Sequence, residues 1–227
     1  MNTLLSQLGP TFMDLLPDAL HDLLVAQGTR VRYRGDQLIH SRGDDSQIVS
    51  IILSGGARAG TFGHDGSYTM TSILGPGQTF GEFTVIVGLP RSLDMVALGE
   101  TEILELPGPK FTRLCDEQPE LSKALLSSSL IRTYMLLEIM DAMRRLPLLE
   151  RTAKLLLILA EAPMQTDHLN YTQADLAFTL GISRVSVSKA VGRLAELGLI
   201  TLGYRNILVK DPAKLQNWLD RRQHLAV

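Results

Sequence analysis

The chain has 227 residues, 45% of them hydrophobic, and a formal net charge of -2, so it can bury a core in one large domain or two modest ones; we expect two. It has neither an apolar run of about eighteen residues nor the basic start and cleavage site of a signal peptide, which excludes a membrane-spanning segment and favours a cytoplasmic location. The single cysteine, Cys115, excludes an internal disulfide and an iron–sulfur cluster.

The first half of the chain predicts short helices followed by an antiparallel β-domain. Pro17 suits the first turn of a helix that Gly28 would close. Over residues 29–107, short β-branched or apolar runs alternate with turn clusters such as those at 42–45 and 64–66. Regular spacing of this kind is typical of an antiparallel sandwich or roll.

The next segment, from Lys110 to Arg145, predicts helix, interrupted only by Pro119 near its start. Two apolar stripes follow roughly opposite sides of this helix, and a helix with two apolar faces needs two partners. One stripe contains Leu126, Leu130, Leu137 and Met140, and the other contains Ile131, Met135, Ile139 and Ala142. We expect one face to pack on the β-domain and the other on the same helix of a second chain, as in a parallel coiled coil. Burial inside a single subunit is the alternative.

The part of the chain that begins at Pro147 is basic. Residues 147–227 carry 10 Lys and Arg against 7 Asp and Glu, whereas residues 1–146 carry 12 against 17. A basic bias favours a polyanionic partner, because neutralising phosphates and releasing counterions supplies much of the affinity for DNA.

The segment from Tyr171 to Leu199 predicts a helix-turn-helix. Thr172 is a good N-cap with Asp175 three residues later, so a short helix should begin there, and Gly181 should supply the turn that follows it. Ser183 then caps a second helix, which presents a basic outer face. This arrangement delivers a recognition helix into the major groove of DNA.

Residues of the second helix have side chains suited to reading DNA. Arg184 could direct its planar guanidinium at guanine O6 and N7, and Lys189 could reach a base edge or a phosphate. Ser186 and Ser188 suit phosphate or base contacts, and the apolar Val185 suits a thymine methyl group.

A short hairpin should follow, in which runs at 199–202 and 207–209 flank a turn at 203–206. Arg205 at the tip of this predicted wing suits a phosphate contact. The expected DNA-binding residues are Thr172, Ser183, Arg184, Val185, Ser186, Ser188, Lys189 and Arg205. An amphipathic helix pair that binds no DNA is the alternative reading of the same pattern.

Several motifs resemble the cyclic-AMP receptor protein and fumarate–nitrate regulator (CRP/FNR) family of transcription factors. They are Phe80-Gly81-Glu82, Pro90-Arg91-Ser92, Leu104-Glu105-Leu106-Pro107, and the run from Thr172 to Ala177 that leads into Ile182 to Ser188. The resemblance spans nearly the whole chain. It implies an α+β fold with an N-terminal antiparallel β-roll, like the jelly roll of cyclic-nucleotide-binding domains, a long dimerisation α-helix and a C-terminal winged helix-turn-helix.

The resemblance also implies three functional regions of the chain and a set of partners. We expect an effector-sensing β-roll with N-terminal helices at 1–109, a dimerisation helix and hinge at 110–146, and a DNA-binding domain at 147–227. The expected partners are double-stranded DNA and a second copy of the chain, joined through residues 121–144. RNA polymerase is a further partner that the resemblance admits.

In the cyclic-nucleotide-binding members of the family, a glutamate accepts a hydrogen bond from the ribose, and an Arg-Ser pair holds the cyclic phosphate. Those roles fall on Glu82, Arg91 and Ser92, while Gly81 lets the backbone approach the ligand. The full expected effector set is Gly81, Glu82, Arg91, Ser92, Arg132, Leu136 and Leu137. The two leucines stand where cyclic-AMP binders carry hydroxyl residues, and they cannot hydrogen-bond an adenine.

The sequence leaves open the identity of the effector and one alternative class of protein. The effector is cyclic AMP, another cyclic nucleotide, a molecule that is not a nucleotide, or none. A cupin-like small-molecule enzyme built on the roll would need His and carboxylate ligands for a metal, but His40 and His64 are isolated and form no HxH pair. We therefore expect no enzyme and no metal. A haem ligand could be His21, His40 or His64, and their spacing singles out none.

Overall fold

The structure is a computed structural model that describes residues 9–160, 172–203 and 206–224. Its contacts divide the chain into two units, Pro10–Ser129 and Leu130–Val227 together with Met1–Gly9. Two residues of the predicted DNA-reading region, Tyr171 and Arg205, lie outside the described residues. No helix within the described ranges is long and apolar enough to span a membrane.

In the described part of the first unit, eight strands form two four-stranded antiparallel sheets. Their bounds are β1 Thr29–Tyr33, β2 Leu38–His40, β3 Ile48–Ser54, β4 Ala57–Phe62, β5 Tyr68–Leu74, β6 Thr79–Phe80, β7 Asp94–Ala97 and β8 Thr101–Pro107. The strand orders are β1-β8-β3-β6 and β2-β7-β4-β5. Glycine supplies left-handed turns between strands, as at Gly66 with a φ of 78°. The antiparallel roll predicted for this region is confirmed.

Helices flank the roll on both sides in sequence. A short 3-10 turn, Met13–Leu15, precedes helix α1, Asp18–Gln27, which ends at Gly28 as expected. A π-helical turn, Phe83–Val87, follows β6 and was not predicted. Helix α2, Gly108–Glu117, follows β8.

The long helix α3, Pro119–Arg145, contributes to the core of each unit. Near its start, Leu121 and Leu125 belong to the core of the first unit. Near its end, Ile139 and Ala142 belong to the core of the second. The sequence left open whether this stripe packs on the β-domain, on a second chain or inside a single subunit. These two residues follow the last of these, because the helices after α3 supply the apolar side chains that bury them.

Four helices and two strands complete the described part of the second unit. They are α4 Leu148–Ala160, α5 Gln173–Leu180, α6 Arg184–Glu196, the antiparallel pair β9 Thr201–Gly203 and β10 Asn206–Leu208, and α7 Pro212–His224. The final helix was not predicted. It packs against α4 through the fully buried Leu215 and Leu219. An ion pair between Arg222 Nε and Glu150 Oε1, 2.7 Å apart, also joins the two helices.

Candidate DNA-binding and effector sites

A capping box begins α5, the first helix of the helix-turn-helix. The Thr172 hydroxyl accepts a hydrogen bond from the backbone N–H of Asp175 at 3.2 Å, and the Asp175 carboxylate accepts one from the backbone N–H of Thr172 at 2.9 Å. Gly181 ends the helix in the left-handed conformation, with a φ of 63°. Each of these residues therefore does what its position in the sequence indicated.

Helix α6 begins directly after Ser183, whose hydroxyl accepts from the backbone N–H of Ser186 at 3.2 Å. The Ser183 and Ser186 hydroxyls are also hydrogen-bonded to each other, 2.9 Å apart. On the inner side of the helix, Val187, Val191 and Leu194 are fully buried in the core. Packing of these three side chains fixes which face of the helix is turned outward.

The outward face of α6 carries four of the residues predicted to bind DNA. Arg184, Val185, Ser188 and Lys189 are all exposed, and the large apolar side chain of Val185 is 66% accessible. In the described ranges, neither cation of this face forms an ion pair, whereas Arg193 at the far end of the helix is paired with Glu196 at 2.8 Å. These two exposed cations, which form no ion pair in that part of the chain, suit contact with a phosphate or a base edge.

In the roll, the glycine and the arginine of the predicted effector site lie together. Gly81 follows β6 with a φ of 91°, and a Cβ atom there would overlap Nη1 of Arg91 and the carbonyl oxygen of Ile48. The position therefore requires glycine for both its conformation and its space. Glu82 is half-buried directly after it, and Ser92 is exposed.

The Arg91 guanidinium is buried, with 7% of the residue exposed. Nη2 donates to the carbonyl oxygens of Ile48, at 2.9 Å, and Ser46, at 3.3 Å. Nε is buried and finds no hydrogen-bond acceptor among the described residues. Burial lowers the pKa of Arg91, and the nearby carboxylates, led by Asp44 and Glu82, act in the opposite direction. A buried cation with an unused donor is suited to an anionic ligand.

Sequence reasoning missed the residues that hold this arginine. The Asp44 carboxylate accepts from the backbone N–H of Ser46 at 2.8 Å and from its hydroxyl at 3.0 Å. The backbone N–H of Arg91 in turn donates to the carbonyl of Asp44 at 2.9 Å. Asp44 and Asp45 were predicted only as part of a turn. No local pattern indicates that the carbonyl of Ser46, which follows them, accepts from Arg91, 45 positions later in the chain.

The other three predicted effector residues belong to the second unit. Arg132 is half-buried on α3, and Leu136 and Leu137 are 39% and 59% exposed. Their grouping with Gly81 and Arg91 stays a prediction. Among the described residues, no three His, Cys, Asp or Glu side chains come together as a metal site would require.

Comparison with known families gives two matches, one that includes the β-roll and one that includes the helix-turn-helix. Residues 30–118 match the cyclic nucleotide-binding domain, and residues 150–218 match the Crp-like helix-turn-helix domain. The first match contains Gly81 and Arg91, and the second contains the whole of α5 and α6.

Two curated relatives align with almost the full length. The chain is 25% identical over 222 residues to a CRP-like cAMP-activated global transcriptional regulator of Mycobacterium tuberculosis, covering 95% of this chain and 98% of the relative. It is 27% identical over 234 residues to the cyclic AMP receptor protein of Thermus thermophilus, covering 91% and 95%. The first relative is named as a transcriptional regulator activated by cyclic AMP, and the second as a receptor for it.

Solved structures share the fold at lower identity. A CooA mutant from Carboxydothermus hydrogenoformans has a TM-score of 0.72 and 19% identity, covering 94% of this chain and 99% of that one. FixK2 from Bradyrhizobium japonicum has a TM-score of 0.63 and 20% identity, covering 84% and 96%. The predicted order of β-roll, long helix and helix-turn-helix is confirmed.

Proposed function

We propose that this chain, which belongs to the CRP/FNR family of transcription factors, binds DNA as a homodimer whose affinity for DNA is set by a small effector. It is a transcriptional regulator with a DNA-binding helix-turn-helix and a cyclic nucleotide-binding domain. The observation that carries the proposal is the outward face of α6, where Arg184, Val185, Ser188 and Lys189 follow directly after a capped turn.

The proposed DNA contacts divide into two kinds. Arg184 and Lys189 bind guanine edges or phosphates, and Val185 packs on a thymine methyl group. Thr172 caps the start of α5, Ser183 caps the start of α6, and the Ser186 hydroxyl is hydrogen-bonded to that of Ser183. We assign these three residues phosphate contacts, because the start of a helix favours an anion. Arg205 on the wing is proposed to bind phosphate, and it lies outside the described residues.

DNA binding is tested with oligonucleotides selected from a random pool by the purified protein. Arg184→Ala together with Lys189→Ala should weaken binding at least about a hundredfold and should reduce the dependence of affinity on salt. Arg193→Ala is the matched control, because that arginine belongs to the same helix and is already paired with Glu196. Unchanged affinity in the double variant would refute the assigned reading face.

The homodimer is supported by an apolar stripe on α3. Leu126, Leu130, Leu137 and Met140 recur at spacings of four, seven and three residues and are 60%, 58%, 59% and 49% exposed. Exposed leucines at this spacing suit the seam of a two-stranded coiled coil. Tyr134, 65% exposed, lies one turn after Leu130.

The oligomeric state is measured by light scattering after size-exclusion chromatography. Wild-type protein should have the mass of two chains, and Leu130→Glu with Leu137→Glu should shift it to one, because two charges would be buried in the seam. Leu38→Glu is the control, since Leu38 is 45% exposed on β2 and away from α3 in sequence. A monomeric wild type would contradict the proposal.

The effector is proposed to be a cyclic nucleotide whose phosphate binds Arg91 and Ser92 and whose ribose binds Glu82. The unused Nε of Arg91 and the domain match at residues 30–118 support this choice. Leu136 and Leu137 favour an effector whose base is not read by hydroxyl groups, and a pocket for a different metabolite is the second candidate. Contact with RNA polymerase stays a prediction.

Calorimetric titration with cyclic AMP and cyclic GMP tests the effector. Arg91→Ala should abolish binding, and Arg91→Lys should weaken it, because a lysine keeps the charge but loses the planar fork. Arg30→Ala is the control, an arginine of the same unit with an exposed side chain. Absence of heat with both nucleotides would favour the second candidate.

A further inference from the structure

A chain of polar contacts connects His40 to the arginine of the effector site. His40 Nδ1 lies 3.6 Å from Oδ2 of Asp44. The same carboxylate accepts from the Ser46 hydroxyl at 3.0 Å, and the Ser46 carbonyl accepts from Nη2 of Arg91 at 3.3 Å. Two residues therefore separate an ionisable ring from the proposed anion-binding group.

His40 is buried and closely packed. The residue is 8% exposed, and its ring lies edge-on to that of Phe80 with the centroids 5.8 Å apart. Nε2 lies 3.4 Å from the hydroxyl of Ser50 on β3. Phe80 directly precedes Gly81, so His40 packs against the segment that would carry the ligand.

Three charged groups act on the ring from different elements. Asp44 lies in the turn after β2, Glu105 on β8 and Arg91 before β7. Burial and then the positive charge of Arg91 lower the pKa of His40, against the opposite effects of the two carboxylates. The ring is therefore mainly neutral at neutral pH while Arg91 stays charged.

Building on the effector site proposed above, we propose that His40 is a positioning residue whose protonation is coupled to the binding of an anion at Arg91. An anionic phosphate offsets the positive charge that opposes a proton on the ring, so the bound state takes up protons. By linkage, the affinity for the anion rises as the pH falls through the titration of His40. The effector class this implies is a phosphate-bearing molecule.

The first test needs no ligand. The ring resonances of His40 are followed by NMR as a function of pH in the full chain, and they are assigned by their loss in His40→Gln. Arg91→Gln removes a positive charge, so the His40 titration should move to higher pH by at least about half a unit. An unchanged midpoint in a folded Arg91→Gln variant would show that the two groups are not coupled, and the inference would fail.

The second test measures cyclic AMP affinity by calorimetry between about pH 8 and about pH 5.5, in buffers of different ionisation enthalpy. Affinity should rise on the order of fivefold towards acid pH with net proton uptake, since a cyclic phosphate itself does not titrate there. His40→Gln should lose both the rise and the uptake. The exposed His64 is the matched control, and His64→Gln should keep both.

The outcomes separate this inference from the effector proposal on which it rests. A flat pH profile in wild type, or one that survives in His40→Gln, would overturn the inference while cyclic AMP binding stands. If neither cyclic nucleotide binds at any pH, the effector proposal fails, and the NMR titration alone decides whether His40 and Arg91 are coupled. A purely structural His40 would change affinity equally at every pH.

Discussion

Two glycines of the roll show how the same backbone conformation can serve different ends. Gly81 and Gly88 have φ values of 91° and 73°, which both favour glycine. A Cβ atom at Gly81 would overlap Arg91 and Ile48, whereas one at Gly88 would have no described atom within 4 Å. Only the first glycine is required by close packing around the proposed effector site.

Alanine at these two positions should therefore have unequal effects. Gly88→Ala should cost about 1 kcal/mol of stability from the conformation alone. Gly81→Ala should cost about 3 kcal/mol, because the arginine and the backbone must also move, and it should abolish effector binding. Urea unfolding followed by the amide signals of β3 measures both. Equal losses in the two variants would show that the close approach at Gly81 carries no energy.

Burial of His40 also predicts how the stability of the roll depends on pH. Its pKa is lowered in the folded state from the usual 6.5, so the unfolded chain binds a proton more readily. Stability should fall as the pH drops below 6.5 and should level off below the folded pKa. The pKa of Asp44 is lowered chiefly by the hydrogen bond from the backbone N–H of Ser46, so Asp44 keeps its charge between about pH 7 and about pH 5.5.

The measurement is the urea midpoint of β3 and β8 amide signals at about pH 7 and about pH 5.5. Wild type should lose stability between these values, and His40→Gln should lose less because it has no ring to protonate. A variant that falls as steeply as wild type would place the pH dependence on other groups.

At the scale of elements, the sequence predicted the features that depend on neighbouring residues, such as helix caps and turns. The capping box of α5 and the glycine turn after it were predicted, because Thr172 and Asp175 hydrogen-bond to the nearby backbone and Gly181 adopts the left-handed conformation. Helix α7 carried comparable signals that were overlooked. Asp211 accepts from the backbone N–H of Lys214 at 2.9 Å, directly before a proline that suits a first turn.

Contacts between distant segments could not be predicted in this way. Arg91 was correctly singled out, yet the carbonyl groups of Ser46 and Ile48 that hold it come from another part of the chain. Backbone acceptors carry no side-chain identity, so no residue type indicates them. The same holds for Ile139 and Ala142, whose apolar character predicted burial but not the partner that supplies it.

Helix α7 should stabilise the DNA-reading unit through its buried leucines. Leu219 is 1% exposed, so Leu219→Ala should cost about 3 kcal/mol through lost contacts and the cavity left behind. The exposed Asn217 lies on the same helix, and Asn217→Ala should change stability by less than about 0.5 kcal/mol. Trp218 is the single tryptophan of the chain, so its fluorescence in urea reports this unit. Equal midpoints for the two variants would mean that α7 is not integral to the fold.

At the scale of the whole molecule, we expect any coupling between effector and DNA to depend on α3, because this helix contributes to the core of each unit. One continuous helix places Leu121 and Leu125 in the core of the first unit and Ile139 and Ala142 in the core of the second. Linkage requires that an effector which raises DNA affinity by some factor is itself bound more tightly to the DNA complex by the same factor. Titrations in both orders should give equal factors.

Breaking the helix between the two cores should remove that coupling without unfolding either unit. Insertion of Gly-Gly between Ser129 and Leu130 leaves the residues of both cores unchanged but interrupts the helix at the boundary of the units. Effector binding should persist, and DNA binding should persist at an affinity that falls only as far as the dimer weakens. The factor by which effector raises DNA affinity should fall towards one.

The control is the same insertion after Gly66, an exposed turn between β4 and β5 where a Cβ atom would meet no described neighbour. Both insertions are compared by cyclic AMP calorimetry with and without DNA, and light scattering records the oligomeric state. If the Ser129 insertion keeps the wild-type factor, the two sites communicate without a continuous α3. If it loses the factor while the Gly66 insertion keeps it, the long helix is the mechanical link between effector and DNA, because a rigid helix can transmit a displacement that a glycine pair cannot.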